Sequence, residues 1–220
     1  MRSLGRLVRG LSALFWGLPI ALVLCVQAVN TNLLDSVRPY GIVAPVAITS
    51  MLYYALWLMS GFQRQERVWV LALDRAKVLA IVNIGLAPFL YWNHRMPQEP
   101  LFQYAVWLMA MTSVFFLFDV NQVLLRLAAM LPDETLRMET KVFTSLNRSI
   151  LIAIPVLMGL LIFGAPALEL PISIASLAHR IDSLGQWVFL SLILVPIAIT
   201  MSLIWKIKEA ILASVFSHGE

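Results

Sequence analysis

Few side chains in this 220-residue sequence carry chemistry, and the sharpest of them is Asp119, an acid at the end of a long apolar run. Carboxylates among apolar residues are costly and are functional candidates by default, as in proton or ion relays. Counted from Leu101, Asp119 lies about 27 Å along a helix at 1.5 Å per residue. That distance also suits an interfacial acid where a helix leaves lipid, with Asn121, Gln122 and Arg126 following. Asn83 is more central in its run, and with Gly85 and Pro88 behind it could line a broken helix around a polar solute. Thr49, Ser50, Thr112, Ser113, Thr200 and Ser202 are its candidate companions; otherwise the amide is satisfied by a neighbouring helix. Asn83, Asp119, Thr49 and Thr200 are therefore the candidate polar site.

Other chemistries find little to work with. His94 and His179, with Glu99, Glu169 and Asp182, are the residue types of a metal site but lack close ligand spacing. Neither histidine falls within an apolar run, as haem ligation would want, and no nucleophile elbow or metalloprotease motif occurs. No catalytic residue, cofactor or metal is expected. Cys25 is the single cysteine, so no intrachain disulfide can form.

The elements that must position these residues are membrane helices. Hydrophobic residues make up 60% of the chain against 13% charged, and the mean hydropathy is +0.85, outside the range of soluble globular proteins. The net charge of +4 resides in short clusters between apolar runs, not on one basic face, which argues against nucleic acid as a partner. Six runs, 11–29, 42–60, 78–92, 101–122, 150–167 and 187–205, predict an all-α integral membrane protein with six transmembrane helices. The third is short, and spans only if Leu71 to Lys77 continues its helix with Arg75 and Lys77 snorkelling. Arg2, Arg6 and Arg9 before the first run resemble the start of a signal peptide, with Val26-Gln27-Ala28 as a cleavage site; the run is read as a retained span.

Lysine and arginine divide unevenly between alternate loops. Thirteen lie on one side: Arg2, Arg6, Arg9, Arg64, Arg67, Arg75, Lys77, Arg126, Arg137, Lys141, Arg148, Lys206 and Lys208. Only Arg38, Arg95 and Arg180 lie on the other, which predicts both termini in the cytoplasm of a plasma (inner) membrane. Leu-x-Arg-small sequences precede the odd runs at Leu7, Leu73 and Leu146, and each odd run holds one proline, Pro19, Pro88 or Pro155. Pro45-Val-Ala-Ile-Thr49 is echoed by Pro196-Ile-Ala-Ile-Thr200. The pattern suggests three helical hairpins, although membrane helices reuse few residue types.

Short amphipathic elements flank these runs: residues 171–184 on the outer leaflet and Phe62 to Lys77 at the inner surface. A cytoplasmic helix over 132–146 begins with Pro132, Asp133 and Glu134, and Asp133 stands four residues before Arg137. Its apolar residues Leu136, Val142, Phe143 and Leu146 form either a docking side for a partner or a side that rests on headgroups or on the chain's own inner loops. Ala13, Gly17, Ala21 and Cys25 recur every four residues, a smooth strip for close packing against another helix of this chain or against another subunit.

The expectation is a non-catalytic membrane subunit or scaffold of a larger complex, with lipid and other membrane or cytoplasmic subunits as partners. The runner-up is a transport permease. The six spans, inner-surface helices and outer helix resemble the general layout of some ABC exporter permeases, though not their sequence motifs. That layout would imply a separate ATPase.

Overall fold

The computed structural model describes residues 2–30, 40–63, 65–131, 133–159 and 193–214. Among them are six α-helices and no strand. They are α1 (Arg2–Asn30), α2 (Val43–Met59, entered through the 3₁₀ turn Tyr40–Ile42), α3 (Arg67–Arg95), α4 (Pro100–Met130), α5 (Glu134–Gly159) and α6 (193–214). The expected helix 171–184, the end of the fifth run and the start of the sixth lie outside the described residues.

Two expectations are redrawn. The segment read as an inner-surface element, Phe62 to Lys77, contributes residues 67–77 to α3, which runs unbroken from Arg67 to Arg95. No proline or glycine interrupts residues 67–84, and Trp69, Leu73 and Ala76 are buried in the core, so the helix propagates. Likewise the helix over 132–146 and the run from 150 are one helix, α5, because nothing in Asn147-Arg148-Ser149 breaks it. Pro19, Pro88 and Pro155 each sit inside their helices.

The core is assembled from stripes on all six helices. Leu7, Leu11, Leu14 and Leu18 recur at three- and four-residue steps on α1 and meet Leu52, Leu56 and Met59 of α2. Trp69 and Leu73 of α3, Val120, Leu124 and Leu127 of α4, Leu151 and Ile154 of α5, and Ile204 and Ile207 of α6 complete it. A smaller cluster, Ala28, Ala87, Leu90 and Met109, joins α1, α3 and α4 toward the other end.

The strip on α1 packs within the chain. A Cβ at Gly17 would lie 2.8 Å from Leu52 Cδ2, and one at Gly10 would lie 2.7 Å from Met59 Cγ and 2.8 Å from the Ala55 carbonyl oxygen. Gly10 and Gly17 therefore set the closeness of α1 and α2, with Ala13 and Ala21 beside them in the same core. Cys25 turns to the smaller cluster.

Connections are fixed by a few polar bonds. Trp69 Nε1 donates to the Phe62 carbonyl at 2.9 Å, holding the α2–α3 turn against its own ring. Pro100 opens α4, where a missing N–H costs nothing. Asp133 Oδ1 accepts from the Leu136 amide at 3.1 Å and the Thr135 hydroxyl at 2.6 Å, capping α5. Arg137 turns back to α4, donating to the carbonyls of Ala129 at 3.1 Å and Leu131 at 3.3 Å, and so caps that helix's end.

Two described helices, Ser3–Val29 and Pro100–Met130, are long and apolar enough to cross a membrane; Val43–Met59 is apolar but shorter. Large apolar side chains also stand exposed around the bundle: Trp16 and Val23 on α1, Tyr54 and Trp57 on α2, Val78 and Ile81 on α3, Tyr104 and Phe115 on α4, Ile152 and Val156 on α5, Trp205 on α6.

Candidate functional site: a buried polar knot and an exposed apolar stripe

The structure does not gather the four expected polar residues into one site. Asn83 is buried on α3, and its Oδ1 accepts from the Thr112 hydroxyl of α4 at 2.6 Å, so the amide is satisfied by a neighbouring helix. Thr49 donates within its own helix, to Pro45 at 2.8 Å or Val46 at 3.0 Å. Asp119 is half-buried and feels the charge of Arg75 on α3. It precedes Asn121 by two positions, which turns it about 200° away around the helix.

Thr200 alone lies in a polar centre. Its hydroxyl donates to the Pro196 carbonyl at 2.7 Å, repeating the back-bond of Thr49 to Pro45. The same oxygen accepts from Asn121 Nδ2 of α4 at 2.9 Å and from Asn147 Nδ2 of α5 at 3.1 Å. Asn121 donates also to the Leu117 carbonyl at 2.8 Å, and Asn147 to Pro196 at 3.2 Å. One hydroxyl thus ties three helices inside the apolar core.

The knot is not closed. Asn121 Oδ1, Asn147 Oδ1 and the hydroxyls of Thr140 and Thr144 are buried without a hydrogen-bond partner among the described residues. Thr140, Thr144 and Asn147 share one face of α5, at steps of four and three residues. Unsatisfied buried acceptors cost free energy, and a cluster of them is selective for a donor or a cation.

The expected docking residues divide between two faces of α5. Leu136 is 5% exposed and belongs to the core, and Phe143 packs against that core beneath Lys206 Nζ, 5.4 Å from its ring centre. Lys206 also bonds Glu139 at 2.5 Å, joining α6 to the charged half of α5. Val142 and Leu146 point outward, 65% and 53% exposed, in line with Met138 at 62%. Met138, Val142 and Leu146 form a stripe at four-residue steps, rimmed by the exposed Arg137 and Lys141.

Asn121, Asn147 and Met138 were missed by sequence reasoning. Asn121 reads as part of a helix exit and Asn147 as part of a recurring Leu-x-Arg entry. A usable signal existed: with Leu136 inward, Thr140, Phe143, Asn147, Leu151 and Ile154 follow on the same face at helical steps. Of the metal candidates, His179, Glu169 and Asp182 lie outside the described residues, while His94 Nδ1 is 3.0 Å from the Val29 carbonyl at the end of α1. Among the described residues no group of three or more His, Cys, Asp or Glu side chains is placed to hold a metal ion.

Compared with known proteins, the chain matches no family model, no curated protein and no solved structure.

Proposed function

We propose that the chain is a polytopic inner-membrane protein that serves as a non-catalytic subunit or scaffold of a larger complex, docking a partner on α5. Its six helices would alternate across the bilayer as three hairpins with both termini cytoplasmic, the arrangement that keeps thirteen of sixteen basic residues inside. The apolar side chains exposed on every helix support lipid as the surrounding medium, since exposed apolar surface on this scale marks a lipid or protein contact. Pro100–Met130 is longer than the roughly 20 residues a bilayer core requires. Its last turns and the charged first half of α5 would then stand in the cytoplasm.

The observation that carries docking is the stripe Met138, Val142 and Leu146. It is apolar, exposed and set in the polar half of a helix whose opposite face is already buried. A partner fitted to it presents an apolar ridge with acidic residues at its edge, opposite Arg137 and Lys141. A photo-cross-linking side chain at Val142 in native membranes tests this. One discrete protein adduct, lost when Leu146→Asp is combined with it, is the expected result; adducts to lipid alone would overturn the reading.

A second reading, a transport permease working with a separate ATPase, is favoured by the open amide oxygens of Asn121 and Asn147. It expects a melting temperature of the purified protein that rises with a monovalent cation or small polar solute and ceases to do so in Asn121→Leu.

A further inference from the structure

We propose that the groove between α4 and α5 binds one anionic phospholipid of the inner leaflet, its phosphate on Arg148 and an acyl chain along Phe115, Ile152, Pro155 and Val156. The inference rests on the membrane reading above.

The groove has a volume of about 260 Å³ and is apolar apart from the guanidinium of Arg148 at one end. That guanidinium lies 5.8 Å from the ring centre of Phe118, a cation–π contact that holds it over the groove mouth. No carboxylate among the described residues pairs with it. Asp119 lies within the electrostatic reach of Arg75, and Glu139 is bonded by Lys206. Among the described residues Arg148 is thus an exposed cation without an acidic partner beside exposed apolar surface, and a guanidinium binds phosphate through two parallel N–H bonds.

Direction and length agree with a lipid. On α4 the groove runs from Phe118 back to Val114, and on α5 from Arg148 forward to Val156, so both walls lead away from the charged half of α5. Eight residues at 1.5 Å make about 12 Å, most of a leaflet's roughly 15 Å of hydrocarbon. The cation therefore lies at headgroup depth and the apolar walls at acyl depth. Phe115 at 52% and Val156 at 63% exposed leave both walls accessible. A soluble anion would use the guanidinium but gain nothing from those walls.

Native mass spectrometry of the full chain, released from detergent after incubation with phosphatidylglycerol or phosphatidylcholine of equal chain length, tests the proposal. Wild type is expected to retain one phosphatidylglycerol in preference to phosphatidylcholine. Arg148→Ala is expected to weaken that retention at least about tenfold, the size of one charge-assisted hydrogen bond. Arg148→Lys should recover part of it, and Phe115→Ala should weaken both lipids alike. Equal retention of the two lipids by wild type, or unchanged retention by Arg148→Ala at an unchanged melting temperature, overturns the site. Alkaline extraction keeps the two claims apart: a chain that leaves the membrane on washing defeats the membrane reading itself, whereas one that stays and ignores Arg148 defeats only the lipid site.

Discussion

Asn121 and Asn147, on different helices, donate to the same oxygen, Thr200 Oγ1, at 2.9 and 3.1 Å. Thr200→Val therefore leaves two buried carboxamides short of an acceptor. The expected loss is about 1–3 kcal/mol of stability, read as a lower melting temperature in detergent. Thr49→Val, whose hydroxyl bonds only its own helix, is expected to shift stability by less than about 0.5 kcal/mol. Equal effects at the two positions would show that the knot does not hold the helices together.

Thr140 and Thr144 give the opposite sign. Their hydroxyls are buried without a hydrogen-bond partner among the described residues, and valine has nearly the same shape. Thr140→Val or Thr144→Val should raise stability by about 1 kcal/mol by removing a polar group that gains nothing. A loss of similar size would mean that the hydroxyl is engaged by a bound group.

Glycines on α1 and α3 separate packing from helix propensity. Gly10→Ala places a Cβ 2.8 Å from the Ala55 carbonyl, a backbone atom that cannot swing away, and should cost about 1–3 kcal/mol. Gly5→Ala and Gly85→Ala meet nothing within 4 Å and should gain up to about 1 kcal/mol from better helix formation. Thermal unfolding of the three single variants decides the matter; a stabilised Gly10→Ala would refute the close α1–α2 contact.

The Thr135 hydroxyl and the Leu136 amide, both donating to Asp133, hold its carboxyl below the ordinary carboxylate range. A depressed folded value means stability that is present above the unfolded pKa, about 3.9, and is lost as pH falls through the folded one. The melting temperature of wild type should thus decline more steeply below about pH 4 than that of Asp133→Asn, which keeps an uncharged cap. Parallel acid profiles would count against the cap.

Much of the architecture is written in local patterns, and less of the site is. The apolar runs locate the six described helices, and the small residues of α1 mark a strip for close packing without naming its partner. The extent of α3 and α5 is harder to read, because the polar residues Asp74-Arg75 and Asn147-Arg148 mark the edge of an apolar run, although a helix ends only where its backbone loses partners or meets a breaker. The Pro-x-x-x-Thr echo does yield the same back-bond twice, at Thr49 and Thr200. Which copy becomes a junction depends on Asn121 and Asn147, partners 79 and 53 positions from Thr200, and no local pattern carries that distance. The four apolar residues expected to dock divide for a simpler reason: Val142 and Leu146 lie roughly 80–120° around the helix from Leu136 and face outward where it is buried.

The spacing of these contacts along the chain also fixes a timetable. Gly10 meets Ala55 and Met59, so the α1–α2 seam is complete within the first 60 residues. The hydroxyl that joins α4, α5 and α6 is the two-hundredth residue, and at about 5–20 residues per second the ribosome supplies it on the order of 10 s later. For that interval the carboxamides of Asn121 and Asn147 lack the partner they share. Any product ending short of Thr200 keeps that deficit permanently, a ready mark by which quality-control proteases could tell the unfinished chain from the finished one.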